Sequence, residues 1–110
     1  MANDINKVIE ELRKFNNERN WTQFHDGKNL ALALMIESSE LNECFLWKES
    51  KDVNVDKLKE ELADVFNYAF MLADKYDLDI EAICLDKIVQ NGKKYPVEKS
   101  KGKSNKYTEL

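Results

Sequence analysis

Four carboxylates stand out by type and spacing. Glu37 and Glu40 lie three residues apart in "LALALMIESSELNECFLW", and Glu61 and Asp64 repeat that interval in "LKEELADVFNYAF". Residues three apart are neighbours on a helix face, so each pair projects together. Both stretches are otherwise apolar. Leu30, Glu37 and Cys44 share one heptad line with Ala33 and Glu40 beside it, the seam such a helix would turn inward. Leu58, Val65 and Leu72 draw a matching seam, with Glu61 and Tyr68 on its partner line and Asp64 on the adjoining edge.

Carboxylates gathered in a partly dry seam are costly through desolvation and mutual repulsion. Raised proton affinities, interleaved cations or a bound cation would relieve that cost, and these segments hold little Lys or Arg. A hard divalent ion is the economical answer. Carboxylate oxygen with water suits Mg²⁺ or Mn²⁺, and Mg²⁺ commonly also takes phosphate oxygens. A lone E-x-x-E usually marks a solvated face, but two pairs embedded in apolar seams argue against that reading. Glu43 and Glu60 fall farther out and are expected at the surface or as outer support.

Other chemistries lack their residues. Di-iron bundles need Glu-x-x-His on two helices, and the single histidine, His25, lies in an expected loop. Cys44 and Cys84 are far apart, without C-x-x-C spacing or an evident base. They read as buried free thiols of a reducing compartment rather than a disulfide, zinc site or nucleophile.

The elements that must position the acids are helical. With 3 Gly and 1 Pro in 110 residues and 43% hydrophobic content, the composition suits one all-α domain. Ile5, Val8, Ile9, Leu12 and Phe15 recur at helical steps behind Asn3 or Asp4 as cap. Gly27 marks a loop before a second helix over 28–48. Asn54 would cap a third helix, and Asp77 or Asp79 starts a fourth that ends near 92–94. The expected architecture is a four-helix bundle over residues 1–96. Residues 97–110 form a flexible, basic, Lys- and Ser-rich tail. "LALALMI" is apolar on all sides, which a small monomer can hardly enclose, so a homodimer or dimer of dimers is expected.

Charge narrows the partners. Residues 1–92 carry 11 basic and 19 acidic side chains, a balance of −8, while 93–110 carry 6 Lys against 2 Glu, a balance of +4. So acidic a body is a poor match for a nucleic-acid polymer. There is no apolar run of membrane-spanning length and no secretory leader pattern at the start, so a soluble, cytoplasmic protein is expected.

"NWTQFH", "KNLALALMIESSELNECFLW", "LKEELADVFNYAFMLADKYDLDI" and "KIVQNGKKYP" together resemble the MazG-like all-α nucleoside triphosphate pyrophosphohydrolases, in particular the small dCTP pyrophosphatase branch. The resemblance covers roughly residues 15–96. It implies Mg²⁺-dependent cleavage of a nucleoside triphosphate, dCTP or a modified dCTP, to the monophosphate and pyrophosphate, as nucleotide-pool cleansing. It also implies metal ligation by Glu37, Glu40, Glu61 and Asp64, with Glu37 or Glu40 orienting the attacking water. Trp21, Trp47 and Tyr68 match base-pocket positions, and Lys87, Asn91, Lys94 and Tyr95 match the phosphate-side element. His25 is a candidate substrate contact. Lys93 and Lys94 stand where relatives often carry Arg, exchanging a bidentate grip for a point charge. The competing expectations are the same chemistry on dUTP or another nucleotide, and a non-enzymatic helical interaction module.

Overall fold

Three helix starts are set by the acid or amide that precedes them. Asp26 Oδ1 accepts from the Asn29 N–H at 2.7 Å, Asn54 Oδ1 from the Lys57 N–H at 3.2 Å, and Asp79 Oδ1 from the Ala82 N–H at 3.0 Å. Each bond satisfies a donor that a first helical turn leaves free. In the computed structural model, which describes residues 2–110 and side chains from residue 4 onward, these caps open α2 (Gly27–Glu43), α3 (Val55–Lys75) and α4 (Ile80–Lys94). Before them runs α1 (Ala2–Glu18), and after them a short α5 (Val97–Ser100). Single 3-10 turns occupy Thr22–Phe24, Ser50–Asp52 and Tyr107–Glu109, and no strand occurs among the described residues. The all-α class is therefore as expected. Asp4 lies within the first turn of α1 rather than capping it. The Asn3 side chain falls outside the described residues.

The chain divides into two compact units, Met1–Leu78 and Asp79–Leu110. In the first, α3 packs along α2 and against α1. Leu30, only 2% exposed, and Ala73 are its most buried apolar residues. Arg13 of α1 pairs with Asp74 of α3, its Nε donating to Oδ2 at 2.9 Å. That guanidinium holds the Asp74 carboxyl below its ordinary range, chiefly through the hydrogen bond.

Two Schellman motifs end α1 and α3. Asn20 and Asp77 take φ of 55° and 54°, a conformation these two residue types tolerate. The Trp21 N–H reaches Asn16 O at 2.9 Å, and the Leu78 N–H reaches Ala73 O at 2.9 Å. The first motif brings Trp21 edge-on to Phe15, with ring centroids 5.6 Å apart, the apolar contact that typically accompanies such a cap.

Helix α2 is shorter than the expected 28–48. From Cys44 onward the bonds tighten to the i−3 pattern, Cys44 N–H to Leu41 O at 3.1 Å and Phe45 N–H to Asn42 O at 3.0 Å. Trp47 then turns left-handed at φ 62°, which a continuing helix cannot accommodate. One chain encloses "LALALMI" on one side only: Leu32, Met35 and Ile36 stay open, Met35 by 61%. Cys44 is half-buried, but Cys84 is exposed on α4, which corrects its expected burial. Both thiols are free, as expected.

In the second unit, Asp79 starts α4, and Ser100 Oγ donates to Pro96 O at 2.7 Å. The Tyr95 and Tyr107 rings meet edge-on at 6.0 Å.

Candidate functional site

The pairing of α2 with α3 brings acids from both helices together. Glu37, Glu61 and Asp64 each offer a carboxylate oxygen within 4.8 Å of the others. Glu61 is 8% exposed, Glu37 half-buried and Asp64 exposed. Oε2 of Glu37 and Oε2 of Glu61 are buried without a hydrogen-bond partner. An unpaired buried carboxylate oxygen is expensive, so this pair of orphans suits a cation or a donor that both oxygens can hold. The Glu37 carboxyl is raised from 4.5 to about 7, first by burial, then by a side-chain hydrogen bond with Glu40, and by the negative charge of Glu40, Asp64 and Glu61. Crowded carboxylate oxygens with unsatisfied lone pairs, beside a Glu37 carboxyl of raised proton affinity, fit a hard divalent cation.

Glu40 lies outside that group of three, exposed one turn along α2, where its negative charge adds to the burial that raises Glu37. Lys57, four residues before Glu61, places Nζ 3.0 Å from Glu61 Oε1 and 3.8 Å from Glu60 Oε2. It satisfies one Glu61 oxygen and leaves the other free.

Tyr68, one turn beyond Asp64, is half-buried. Its hydroxyl is raised above the ordinary range by burial and by the charges of Glu37 and Asp64. It lines a groove of about 690 Å³ together with Asp64, Asn67, His25 and Trp21, rimmed by Lys14 of α1 and by Arg19 just after that helix. Trp21 reaches this groove because the α1 Schellman motif turns the chain back over Phe15. Arg19 sits over the Phe15 ring, 3.7 Å from its centroid, and Nη1 donates to Phe15 O at 3.1 Å. Lys7, Glu11 and Glu18 also line the groove, and its aromatic walls and amide, with Asp64 at the edge, suit a nucleobase held beside a cation.

The structure thus gathers Glu37, Glu61, Asp64, Tyr68, His25 and Trp21 around one region, with Glu40 adjoining. Trp47 is not among the groove's walls; it is fully exposed at the turn after α2. Lys87, Asn91 and Lys94 recur along α4 of the second unit, all exposed, with the Tyr95 N–H bonded to Asn91 O at 2.8 Å. Lys94 Nζ lies 5.0 Å from the Tyr107 ring centroid. Sequence reasoning missed Asn67, Lys57, Lys14 and Arg19. The signal for Asn67 was present, since positions 61, 64, 67 and 68 continue one helical stripe. Lys14 and Arg19 carried none, because only the fold brings α1 and the turn after it to α3.

The MazG-like family model matches residues 32–110. The chain is 37% identical to dCTP pyrophosphatase 1 of Rattus norvegicus over 115 residues, covering 94% of this chain and 68% of that protein, and equally to the Homo sapiens protein of that name. The crystal structure of a pyrophosphatase from Archaeoglobus fulgidus superposes with a TM-score of 0.77 at 33% identity, over 83% of this chain and 91% of that one. No helix of the described residues is long and apolar enough to cross a membrane. The chain belongs to the MazG-like family.

Proposed function

We propose that this protein hydrolyses dCTP or a modified dCTP to the nucleoside monophosphate and pyrophosphate, with Mg²⁺ or Mn²⁺ held by Glu37, Glu40, Glu61 and Asp64. The chain is a nucleoside triphosphate pyrophosphohydrolase, as the named activities of its relatives and its structural neighbour indicate. The observation that carries the metal reading is the pair of buried, unpartnered oxygens on Glu37 and Glu61 within a shared acid cluster. A divalent ion there would neutralise phosphate oxygens and make a coordinated water more acidic.

The chain's own residues supply the rest. Trp21 and Tyr68 offer ring faces to the base, Asn67 an amide for its edge, and His25 a further polar contact. Water attacks phosphorus, the bridging oxygen between the α- and β-phosphates leaves with pyrophosphate, and the water's proton passes to a carboxylate. Glu40 suits that last task because it lies one turn from Glu37 on α2 yet stands outside the three-residue cluster; Glu37 is the alternative. Lys87, Asn91, Lys94 and Tyr95 are the proposed phosphate-side contacts, on the resemblance of "KIVQNGKKYP" to the family element.

The catalytic domain would span residues 1–96, followed by the basic segment 97–110 that carries α5. The open Leu32, Met35 and Ile36, with fully exposed Trp47, support a homodimer or dimer of dimers in which Trp47 joins a base pocket. The setting would be the cytoplasmic nucleotide pool. The test is a panel of dNTPs, dUTP and modified dCTPs, read by mass spectrometry with and without Mg²⁺. Pyrophosphate and a monophosphate should appear only with the ion. Stepwise release of orthophosphate would refute the cleavage position.

A further inference from the structure

Beyond α5 the chain reverses onto the end of α4. Lys101, at φ −57° and ψ 122°, and Gly102, at φ 78°, form the centre of a type II turn. The Lys103 N–H closes that turn on Ser100 O at 2.9 Å. Ser100 ties the turn to the helix end, its Oγ lying 3.1 Å from Tyr95 O and 2.7 Å from Pro96 O. The 3-10 turn at Tyr107–Glu109, closed by the Glu109 N–H on Lys106 O at 2.9 Å, then presents Tyr107. Its ring meets Tyr95 edge-on with centroids 6.0 Å apart, and its centroid lies 5.0 Å from Lys94 Nζ. Lys94 forms no ion pair among the described residues.

From this we infer that Tyr107 is a positioning residue for phosphate binding, its ring holding the Lys94 ammonium ready for the triphosphate; the inference rests on the reading of Lys94 as a phosphate-side contact. The choice of partner matters. A carboxylate would hold the ammonium but cancel its charge, whereas an aromatic face attracts a cation and leaves that charge for another anion. Lysine reaches phosphate as a point charge on a flexible stem, and ordering that stem costs rotamer entropy on binding. A side chain already settled over a ring has lost part of that freedom before substrate arrives, which strengthens binding without a new contact. Tyr95 fixes the ring from its edge, and the Ser100–Lys103 turn fixes the segment that carries it. The C-terminal segment therefore sets how tightly the phosphates bind, whichever base is attached.

Steady-state kinetics on the full chain with Mg²⁺ test this, using the nucleotide that the dNTP panel shows to be turned over fastest. Lys94→Met should raise KM about tenfold, the effect of losing one charge-assisted contact. Tyr107→Leu should raise KM about three- to fivefold, the scale of an exposed cation–π contact, with kcat within about twofold. Tyr107→Phe keeps the ring and should keep the wild-type KM. A Cβ at Gly102 would meet nothing within 4 Å, so Gly102→Val disturbs the turn through its positive φ alone and should reproduce the Tyr107→Leu rise. Added to Lys94→Met, Tyr107→Leu should change KM by less than about twofold, because the ring acts through that ammonium. A wild-type KM in Tyr107→Leu or Gly102→Val overturns the inference, as does full additivity with Lys94→Met. A fall in kcat matching the KM rise, or a Tyr107→Phe enzyme as impaired as Tyr107→Leu, would assign Tyr107 to the fold alone and also overturns it. If Lys94→Met keeps the wild-type KM, the phosphate-side reading of Lys94 falls and takes the inference with it. If the wild type releases pyrophosphate from no dNTP, the pyrophosphohydrolase reading itself falls.

Discussion

Replacing Glu37 with Gln separates the site's electrostatic cost from its function. The carboxyl is raised from 4.5 to about 7, so between those values the unfolded chain has ionised while the native state still holds the proton. The native state then binds more protons, and wild-type stability falls as pH rises through that window, levelling above pH 7. At 1.36 kcal/mol per pH unit the ceiling on this cost is about 3 kcal/mol. Water reaches the seam, and screening reduces it to about 1–2 kcal/mol. Glu37→Gln keeps the shape, removes the charge and gives Glu40 or Asp64 an amide donor. Without metal at pH 8, its Tm should rise by roughly 5–10 °C, and at pH 4 the two proteins should melt together. Added Mg²⁺ at about 100 times its Kd should stabilise the wild type by about 2.7 kcal/mol and the variant much less. Turnover should fall by at least about a hundredfold. Scanning calorimetry across pH in chelator, then in Mg²⁺, reads all of this. A variant less stable than the wild type at pH 8 in chelator would refute the argument that crowded negative charge strains the seam.

Other perturbations address separate parts of the account. Leu30→Ala empties the most buried position and should cost about 2–5 kcal/mol in denaturant melts. Arg13→Ala frees Asp74, whose carboxyl is held below its ordinary range. The stability from that pair is present above the ordinary carboxylate range and lost as pH falls, so the variant should lose the advantage at neutral pH and melt at lower temperature, with little difference near pH 2. Trp21→Ala should raise KM about tenfold with kcat within a few-fold, since a stacking wall contributes about 1–3 kcal/mol per base. Below pH 7, Mg²⁺ binding should release close to one proton per ion, because Glu37 must give up its proton to become a ligand; calorimetry in buffers of different ionisation enthalpy measures it.

Much of the site was legible because helical periodicity is a strong local signal. The seams that carry Glu37, Glu61 and Asp64 and the caps Asn54 and Asp79 follow from short-range rules, and the structure places them accordingly. Where the reading failed, the deciding interaction was tertiary or lay in backbone conformation. The end of α2 depends on Trp47 adopting a left-handed φ, which no residue type announces. The exposure of Cys84 depends on what covers α4 rather than on its apolar neighbours. Lys57 resembled any lysine near a helix start, and only its 3.0 Å approach to Glu61 marks it.

The most direct measurement is a crystal structure grown with Mn²⁺ and a non-hydrolysable dNTP, with anomalous data collected for manganese. A peak about 2.0–2.3 Å from oxygens of Glu37, Glu61 and Asp64, bridging to phosphate, is the predicted result. Carboxylates turned toward bulk water, with the nucleotide elsewhere or no peak between α2 and α3, would contradict it.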